Sequence, residues 1–171
     1  MGPLSAEVEM DVPRERVFGF LSDLANRPGF TDHFLTDFHL ARIESAGEGA
    51  SARFCMQGPG ADLWFDTEIT EIDFPHRITE RGRGGRLNRI PITTVWEVVE
   101  GPGNLCTVRV TFWTEPANPL DRVRESFGRS GAARRGFRTA LRRLRDELEE
   151  GRAPAERLGV AGGNRHTTGV P

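Results

Sequence analysis

Several short stretches of the chain show a strict alternation of apolar and polar residues. In the first, Val8, Met10 and Val12 alternate with three acidic residues. A period of two places one set of side chains on a single face of a β-strand, so these stretches predict half-buried strands. Short turns rich in Gly and Pro separate the later stretches, which favours antiparallel pairing between successive strands. The predicted strands are residues 6–12, 38–45, 51–57, 62–72, 77–83, 92–100 and 105–114.

Three other segments have helical features. Pro13 suits the first position of a helix, and residues 26–29 are predicted to end that helix. A second short helix is predicted over residues 31–35. The longest helix is predicted over residues 119–150, with Asn118 as its N-cap. One face of this helix carries an apolar stripe. The stripe comprises Phe137, Leu141, Leu144 and Leu148.

The order strand, two helices, six strands and long helix predicts an α+β fold. A curved seven-stranded antiparallel sheet and one long amphipathic helix must bury each other's apolar faces. We expect a single ligand-binding domain over residues 1–152. Residues 153–171 have scattered glycines and no apolar period, so a disordered C-terminal tail is expected there.

Glycines interrupt the apolar cover of the long helix. Three glycines, Gly128, Gly131 and Gly136, lie between two apolar stripes. The first stripe ends at Phe127 and the second begins at Phe137. The sequence therefore predicts a bend or a thin point in the helix, with a cavity beneath it.

Composition excludes several classes of function. The 171 residues suffice for one hydrophobic core, and the net charge of −2 offers no global attraction for nucleic acid. All 23 basic residues are arginine, which excludes Schiff-base and P-loop chemistry that needs lysine. We interpret the arginines of the last helix as a solvated face, although this basic run could also touch RNA, an acidic partner or membrane headgroups.

The chain has no feature that predicts export or membrane insertion. No apolar run approaches the roughly 18 residues of a membrane span, and no basic segment followed by an apolar core marks a secretory signal. Cys55 and Cys106 form no disulfide framework, so reduced thiols and a cytoplasmic location are expected. The four histidines show no metal-ligand spacing, and no metal or cofactor is expected.

Four phrases of the sequence resemble a known superfamily. They are VEMDVPRERVFGFLSDLANRPGF, GEGASARF, ITEIDFPHRITE and TTVWEVVEGPGNLCTVRVTF. Together they are similar to START-like (SRPBCC) helix-grip proteins, and among them to the polyketide cyclase/dehydrase and lipid-transport group. The resemblance implies a hydrophobic cavity between the sheet and the last helix. Relatives bind lipids, sterols, polyketides or quinones there, and some cyclise or dehydrate bound polyketides.

The inward strand faces and the apolar residues beside the helices are candidate cavity walls, with ordinary core packing as the alternative. The candidate ligand-binding residues are Phe30, Phe34, Phe54, Met56, Phe65, Trp96, Phe112, Phe127 and Phe137. Trp64 is predicted to face outward, and tryptophans on the outer sheet face would indicate a partner surface.

Three polar residues are candidates for catalysis. His33 lies where the family closes its cavity and could shuttle protons, unless it is simply an exposed helix residue. Glu80 shares a face with Ile78, so an inward carboxylate could act as a general acid, whereas a bulge would turn it outward. Arg81 could bind an oxyanion or carboxylate, with solvated charge as the alternative.

Three functions therefore remain open. The first is a non-catalytic binder of a small hydrophobic ligand, as a monomer or homodimer. The second is a polyketide aromatase/cyclase or dehydratase that uses a few buried polar groups. The third is a protein-interaction module that uses outer tryptophans or the arginine-rich helix face.

Overall fold

The computed structural model describes residues 2–59, 62–85, 88–115 and 129–151. Within these residues a single antiparallel sheet has the strand order β1-β7-β6-β5-β4-β3-β2. The first strand therefore pairs with the last, and the other six follow one another as a meander. The strands are β1 (Leu4–Asp11), β2 (Leu35–Leu40), β3 (Ser51–Met56), β4 (Leu63–Asp73), β5 (Arg77–Gly84), β6 (Ile90–Glu100) and β7 (Leu105–Thr114).

The segment between β1 and β2 contains helix α1 (Arg14–Leu21), a 3-10 turn (Leu24–Asn26) and helix α2 (Arg27–Thr31). The predicted helix over residues 31–35 is wrong, because α2 starts four residues earlier. Pro28 lies in the first turn of α2, where its missing N–H costs nothing, so it opens this helix instead of ending the one before.

Strand β2 also differs from its prediction, since it covers residues 35–40 and not 38–45. The register between β2 and β3 shifts between Thr36 and His39, and Asp37 has a positive φ of 50°. A bulge of this kind breaks the alternation of apolar and polar residues, which hid the start of the strand.

The long helix, α3, is described over Arg129–Glu150 and packs against β1 and α2. All four residues of its predicted apolar stripe are buried. The start predicted at residues 118–119, Phe127, Gly128 and the predicted tail lie outside the described residues. No helix in the described part of the chain is long and apolar enough to cross a membrane.

Gly136 does not leave thin cover on α3, contrary to the prediction. The ring of Phe34 lies against it, and a Cβ added at Gly136 would sit 2.5 Å from Phe34 Cδ2. At Gly131 an added Cβ would make only an ordinary van der Waals contact, with Arg135 Nη1 at 3.7 Å. Gly136 is therefore a close contact between α3 and the segment after α2.

Candidate functional site

Glu80 projects from β5 toward the interior and is 5% exposed. Ile78 shares this inner face, and Thr94 of β6 lies directly opposite Glu80 in the register. The bulge that would have turned Glu80 outward lies instead on β4, between Ile69 and Glu71. The alternation along β5 is therefore intact at this point, and it turns the carboxylate inward.

Arg27, the first residue of α2, reaches this carboxylate from above the sheet. Arg27 is 4% exposed, and its Nη2 donates hydrogen bonds to Glu80 Oε1 at 2.6 Å and to the Leu21 carbonyl oxygen at 3.3 Å. The guanidinium carbon also lies 4.4 Å from the ring centroid of Trp96. A delocalised, planar cation suits such a stacked and buried ion pair better than an ammonium would.

Trp96 provides a second donor to the same carboxylate oxygen. Its Nε1 lies 2.9 Å from Glu80 Oε1. Hydrogen bonds to an ionised acceptor are stronger than neutral ones, so two donors hold Glu80 firmly in place. As arranged, Glu80 is a hydrogen-bond acceptor with a cation beside it, and the Arg27–Glu80 pair has no net charge.

A small cavity of about 20 Å³ lies beside this pair, between the sheet and α3. This volume has room for about one water molecule. The wall is mainly apolar, with the ion pair and two threonines as its polar part. The described lining residues are Leu24, Arg27, Leu35, Phe38, Phe54, Met56, Thr67, Glu80, Thr94, Trp96, Phe112 and Phe137.

Thr67 is the unusual polar residue of this wall. It is 5% exposed, and its Oγ1 is buried without a hydrogen-bond partner. A buried hydroxyl without a partner costs free energy, which a polar group within hydrogen-bond distance of Oγ1 would recover.

The candidate ligand-binding residues that the structure describes, all but Phe127, divide into two groups. Five of them border the cavity, and Phe30, Phe34 and Phe65 are buried in the surrounding aromatic core. Phe34 packs edge-on against Phe137 and Phe30 against Trp96, at ring-centroid distances of 5.1 and 6.2 Å. The five that border the cavity are Phe54, Met56, Trp96, Phe112 and Phe137.

Arg81 lies on the opposite side of the sheet from Glu80. Its side chain is exposed, and it borders a shallow outer groove together with Trp113. Arg81 is therefore outside the cavity, in line with the solvated-charge alternative, and the cation beside the inward carboxylate is Arg27. The reason is geometric, because adjacent residues of a strand point to opposite faces.

His33 lies at the contact between the end of α2 and α3, and it is not among the described residues that line the cavity. Its Nε2 donates a hydrogen bond to the Gly136 carbonyl oxygen at 3.0 Å, while Nδ1 is buried without a partner. Burial lowers the pKa of His33 from its ordinary value of 6.5, and nearby Arg143 lowers it further. A neutral histidine with its proton on Nε2 accounts for these contacts.

The remaining sequence candidates are on the outer face or have no role at the cavity. Trp64 is 43% exposed beneath the guanidinium of Arg53, whereas Trp96 is inside, so these two tryptophans do not form one outer surface. Cys55 and Cys106 are free, and burial raises the pKa of both thiols. No group of three metal-ligating side chains comes together within the described ranges.

Sequence reasoning missed Arg27, Thr67 and Thr94 as site residues. Thr67 and Thr94 lie on the inner faces of strands that the alternation predicts, so their inward direction was available. Arg27 falls in a predicted turn before Pro28. Arg27 is three residues after Leu24 and three residues before Phe30, and both of these are buried. This helical spacing indicated that Arg27 lies on the same face as they do.

Proteins of known structure share this fold. A protein of Thermus thermophilus, TTHA0849, superimposes with a TM-score of 0.69 at 16% identity, over 89% of this chain and 100% of that one. A START superfamily protein from Mycobacterium smegmatis gives 0.62 at 13% identity, covering 86% and 97% of the two chains. Ginseng major latex-like protein 151 from Panax ginseng gives 0.63 at 15% identity with the same coverages.

These likenesses establish the fold alone, because all three identities are low. A search of curated protein sequences finds no significant match. The profile of the family described as polyketide cyclase / dehydrase and lipid transport matches residues 1–149. The chain therefore belongs to this family.

Proposed function

We propose that the protein binds a small hydrophobic or amphipathic molecule, such as a lipid, polyketide, quinone or sterol-like compound, between the sheet and α3. The observation that carries this proposal is the wall of the cavity. It is apolar over most of its surface and has one buried polar end, built by Arg27, Glu80 and two threonines. Ligand sites combine an apolar lining with a few placed polar groups in this way.

Ligand size requires that the wall opens. Typical ligand pockets have about 300–1,000 Å³, against about 20 Å³ in this structure. The side chains best suited to move are the stacked rings of Phe38 and Phe54, with centroids 5.7 Å apart, and the flexible Met56 beside them. Burial of apolar ligand surface, at about 25 cal/mol per Å², would supply the free energy for this rearrangement.

Binding can be tested with a panel of fatty acids, fatty alcohols, sterols, quinones and polyketides, by native mass spectrometry and calorimetry. Saturable binding of at least one class is expected. Phe54→Leu should change the affinity, because Phe54 lines the cavity. Trp64→Leu is the matched control, since Trp64 lies on the neighbouring strand, opposite Cys55, and is largely exposed. The absence of saturable binding across the panel would refute the proposal.

A second candidate function is that of a polyketide aromatase/cyclase or dehydratase. The buried carboxylate of Glu80 at the cavity wall favours it, with the Thr94 side chain opposite on β6. Such an enzyme would hold a flexible chain in a reactive conformation and move protons through these groups. His33 and Arg81 stand farther from this chemistry, since neither is among the described lining residues.

The enzymatic candidate predicts conversion of a poly-β-keto thioester into a cyclised or dehydrated product. Glu80→Gln should retain binding of that thioester and lose its conversion. A wild-type protein that binds the thioester and returns it unchanged would contradict this candidate and leave the binding function in place.

We place the protein in the cytoplasm and treat it as a monomer or homodimer. The support for a reducing compartment is the pair of buried, unbridged thiols at Cys55 and Cys106. Size-exclusion chromatography with light scattering measures the oligomeric state.

A further inference from the structure

We infer that the site selects neutral amphiphiles, with an alcohol, phenol or carbonyl as the polar group, against anionic ones such as fatty acids. This inference rests on the proposed binding function and specifies the ligand class of that same cavity. Two independent features carry it: the compensated charge of the Arg27–Glu80 pair and the unpartnered hydroxyl of Thr67.

The charge argument starts from the ionisable groups that reach the cavity. Among its described lining residues these are Arg27 and Glu80, and they are already joined at 2.6 Å. An incoming carboxylate would lose its hydration and lie close to the Glu80 carboxylate, with the Arg27 charge already compensated. A charge moved out of water without a partner carries a large penalty, so an anionic head is disfavoured. A cationic head is disfavoured by the same argument, applied to Arg27.

The hydrogen-bonding argument concerns Thr67. Its Oγ1 is buried and has no partner, and Thr67 is one of the residues that line the cavity. The residue opposite Thr67 on β5 is Gly82, which has no side chain with which to cover the hydroxyl. A hydroxyl both donates and accepts, so it can pair with an alcohol, a phenol or a carbonyl oxygen without any change of charge.

The two arguments concern the same part of the cavity wall. Thr67, Glu80 and Thr94 belong to the three successive strands β4, β5 and β6, and all three border the cavity. A ligand head placed there meets hydroxyl groups and a charge-neutral ion pair, while Phe54 and Phe112 border the same cavity with apolar surface. The chemistry that this polar end matches is a neutral head on a hydrophobic body.

The test uses three amphiphiles with the same alkyl chain: decanol, decanoate and decylammonium, below their aggregation concentrations. Calorimetry on the full-length wild-type protein should give decanol an affinity about tenfold or more above that of either ion. The shared chain makes the apolar contribution equal, so the ratio reports the head group alone.

Two variants of nearly unchanged shape separate the two arguments. Glu80→Gln keeps an acceptor for Arg27 and Trp96 but leaves the guanidinium uncompensated, so the preference should shift toward decanoate by about tenfold or more. Thr67→Val removes the hydroxyl and should weaken decanol binding several-fold while the melting temperature of the free protein stays equal or rises, because an unpaired buried polar group is lost.

The outcomes distinguish this inference from the proposed function. If the wild-type protein binds decanoate as tightly as decanol or more tightly, the inference of neutral selectivity is overturned and the binding function stands. If Glu80→Gln folds but leaves the ratio of decanol affinity to decanoate affinity unchanged, the charge argument is overturned. If Glu80→Gln does not fold, Thr67→Val tests the inference through its affinity for decanol, and an affinity equal to that of the wild type overturns it. If none of the panel ligands and none of the three amphiphiles binds, the proposed function itself fails.

Discussion

Arg27→Met tests whether the buried ion pair has the energetic role that its geometry indicates. The substitution keeps an unbranched apolar side chain in place of the arginine stem, but it removes the bond to Glu80 at 2.6 Å and the stacking over Trp96 at 4.4 Å. It leaves a carboxylate that is 5% exposed without its cation. Removal of one partner of a buried pair costs about 3–5 kcal/mol.

For a domain of this size, 1 kcal/mol shifts the melting temperature by roughly 2–4 °C, so the expected decrease is roughly 6–20 °C. Arg77→Met is the matched control. Arg77 lies on the same strand as Glu80 and pairs with Glu71 at 3.1 Å, but both side chains are about half exposed. An exposed pair contributes about 0.2–1 kcal/mol, so the control should barely change the free energy of unfolding.

The double variant Arg27→Met/Glu80→Gln completes the cycle. Since the uncompensated charge causes most of the loss, its removal should restore roughly half of the stability lost in the single variant. Chemical denaturation and calorimetry measure five proteins: the wild type, Arg27→Met, Glu80→Gln, the double variant and the Arg77→Met control. The reasoning is wrong if Arg27→Met loses no more stability than Arg77→Met, or if the double variant loses the sum of the two single losses.

Four further variants test other parts of the structure. Gly136→Ala should destabilise the fold by about 1–3 kcal/mol because its methyl group meets the ring of Phe34. Gly131→Ala on the same helix meets no close neighbour and should stabilise the fold by about 0.5–1 kcal/mol. Equal effects of the two variants on the free energy of unfolding in urea would contradict this. Trp96→Phe removes the indole donor of the buried carboxylate and should cost about 1–3 kcal/mol; a melting temperature equal to that of the wild type would contradict it. Burial lowers the pKa of His33 in the folded state, so its contribution to stability is present above pH 6.5 and is lost as the pH falls toward and through the lowered pKa. His33→Gln keeps a donor for the Gly136 carbonyl and should flatten that part of the stability–pH curve; an unchanged curve would show that another group titrates there.

Most of the fold could be predicted because its signals are local. The alternation along β7 predicts a strand over residues 105–114 with the bounds that the structure has, and the stripe from Phe137 to Leu148 is the buried face of α3. Each signal depends only on residues a few positions apart, on elements whose period is fixed by backbone geometry. The errors at α2 and β2 arose where Pro28 opens a helix and Asp37 interrupts a strand.

The site was harder to predict because its geometry joins distant segments. Arg27 and Glu80 are 53 residues apart, and no local period relates them. The sequence offered Arg81 as a group that could bind an oxyanion or carboxylate, yet the alternation that turns Glu80 inward turns Arg81 outward. The sequence also indicated a gap at Gly136, but a glycine leaves space that another side chain can fill, and here Phe34 fills it.

The position of the ion pair is itself an argument for a ligand. A buried ion pair contributes little net stability to a fold, since well-packed hydrophobic residues of similar volume often stabilise it equally or more. Stability alone therefore does not explain why Arg27 and Glu80 line a cavity whose other described walls are largely aromatic and aliphatic. The proposed function does explain it, because a fixed polar end would set the direction in which an amphipathic molecule enters. Opening the cavity would separate ring pairs such as Phe38–Phe54, at about 0.5–1.5 kcal/mol per pair, whereas a ligand that buries about 200 Å² of apolar surface gains about 5 kcal/mol. This balance favours a ligand large enough to hold the wall open and neutral enough to leave the ion pair intact.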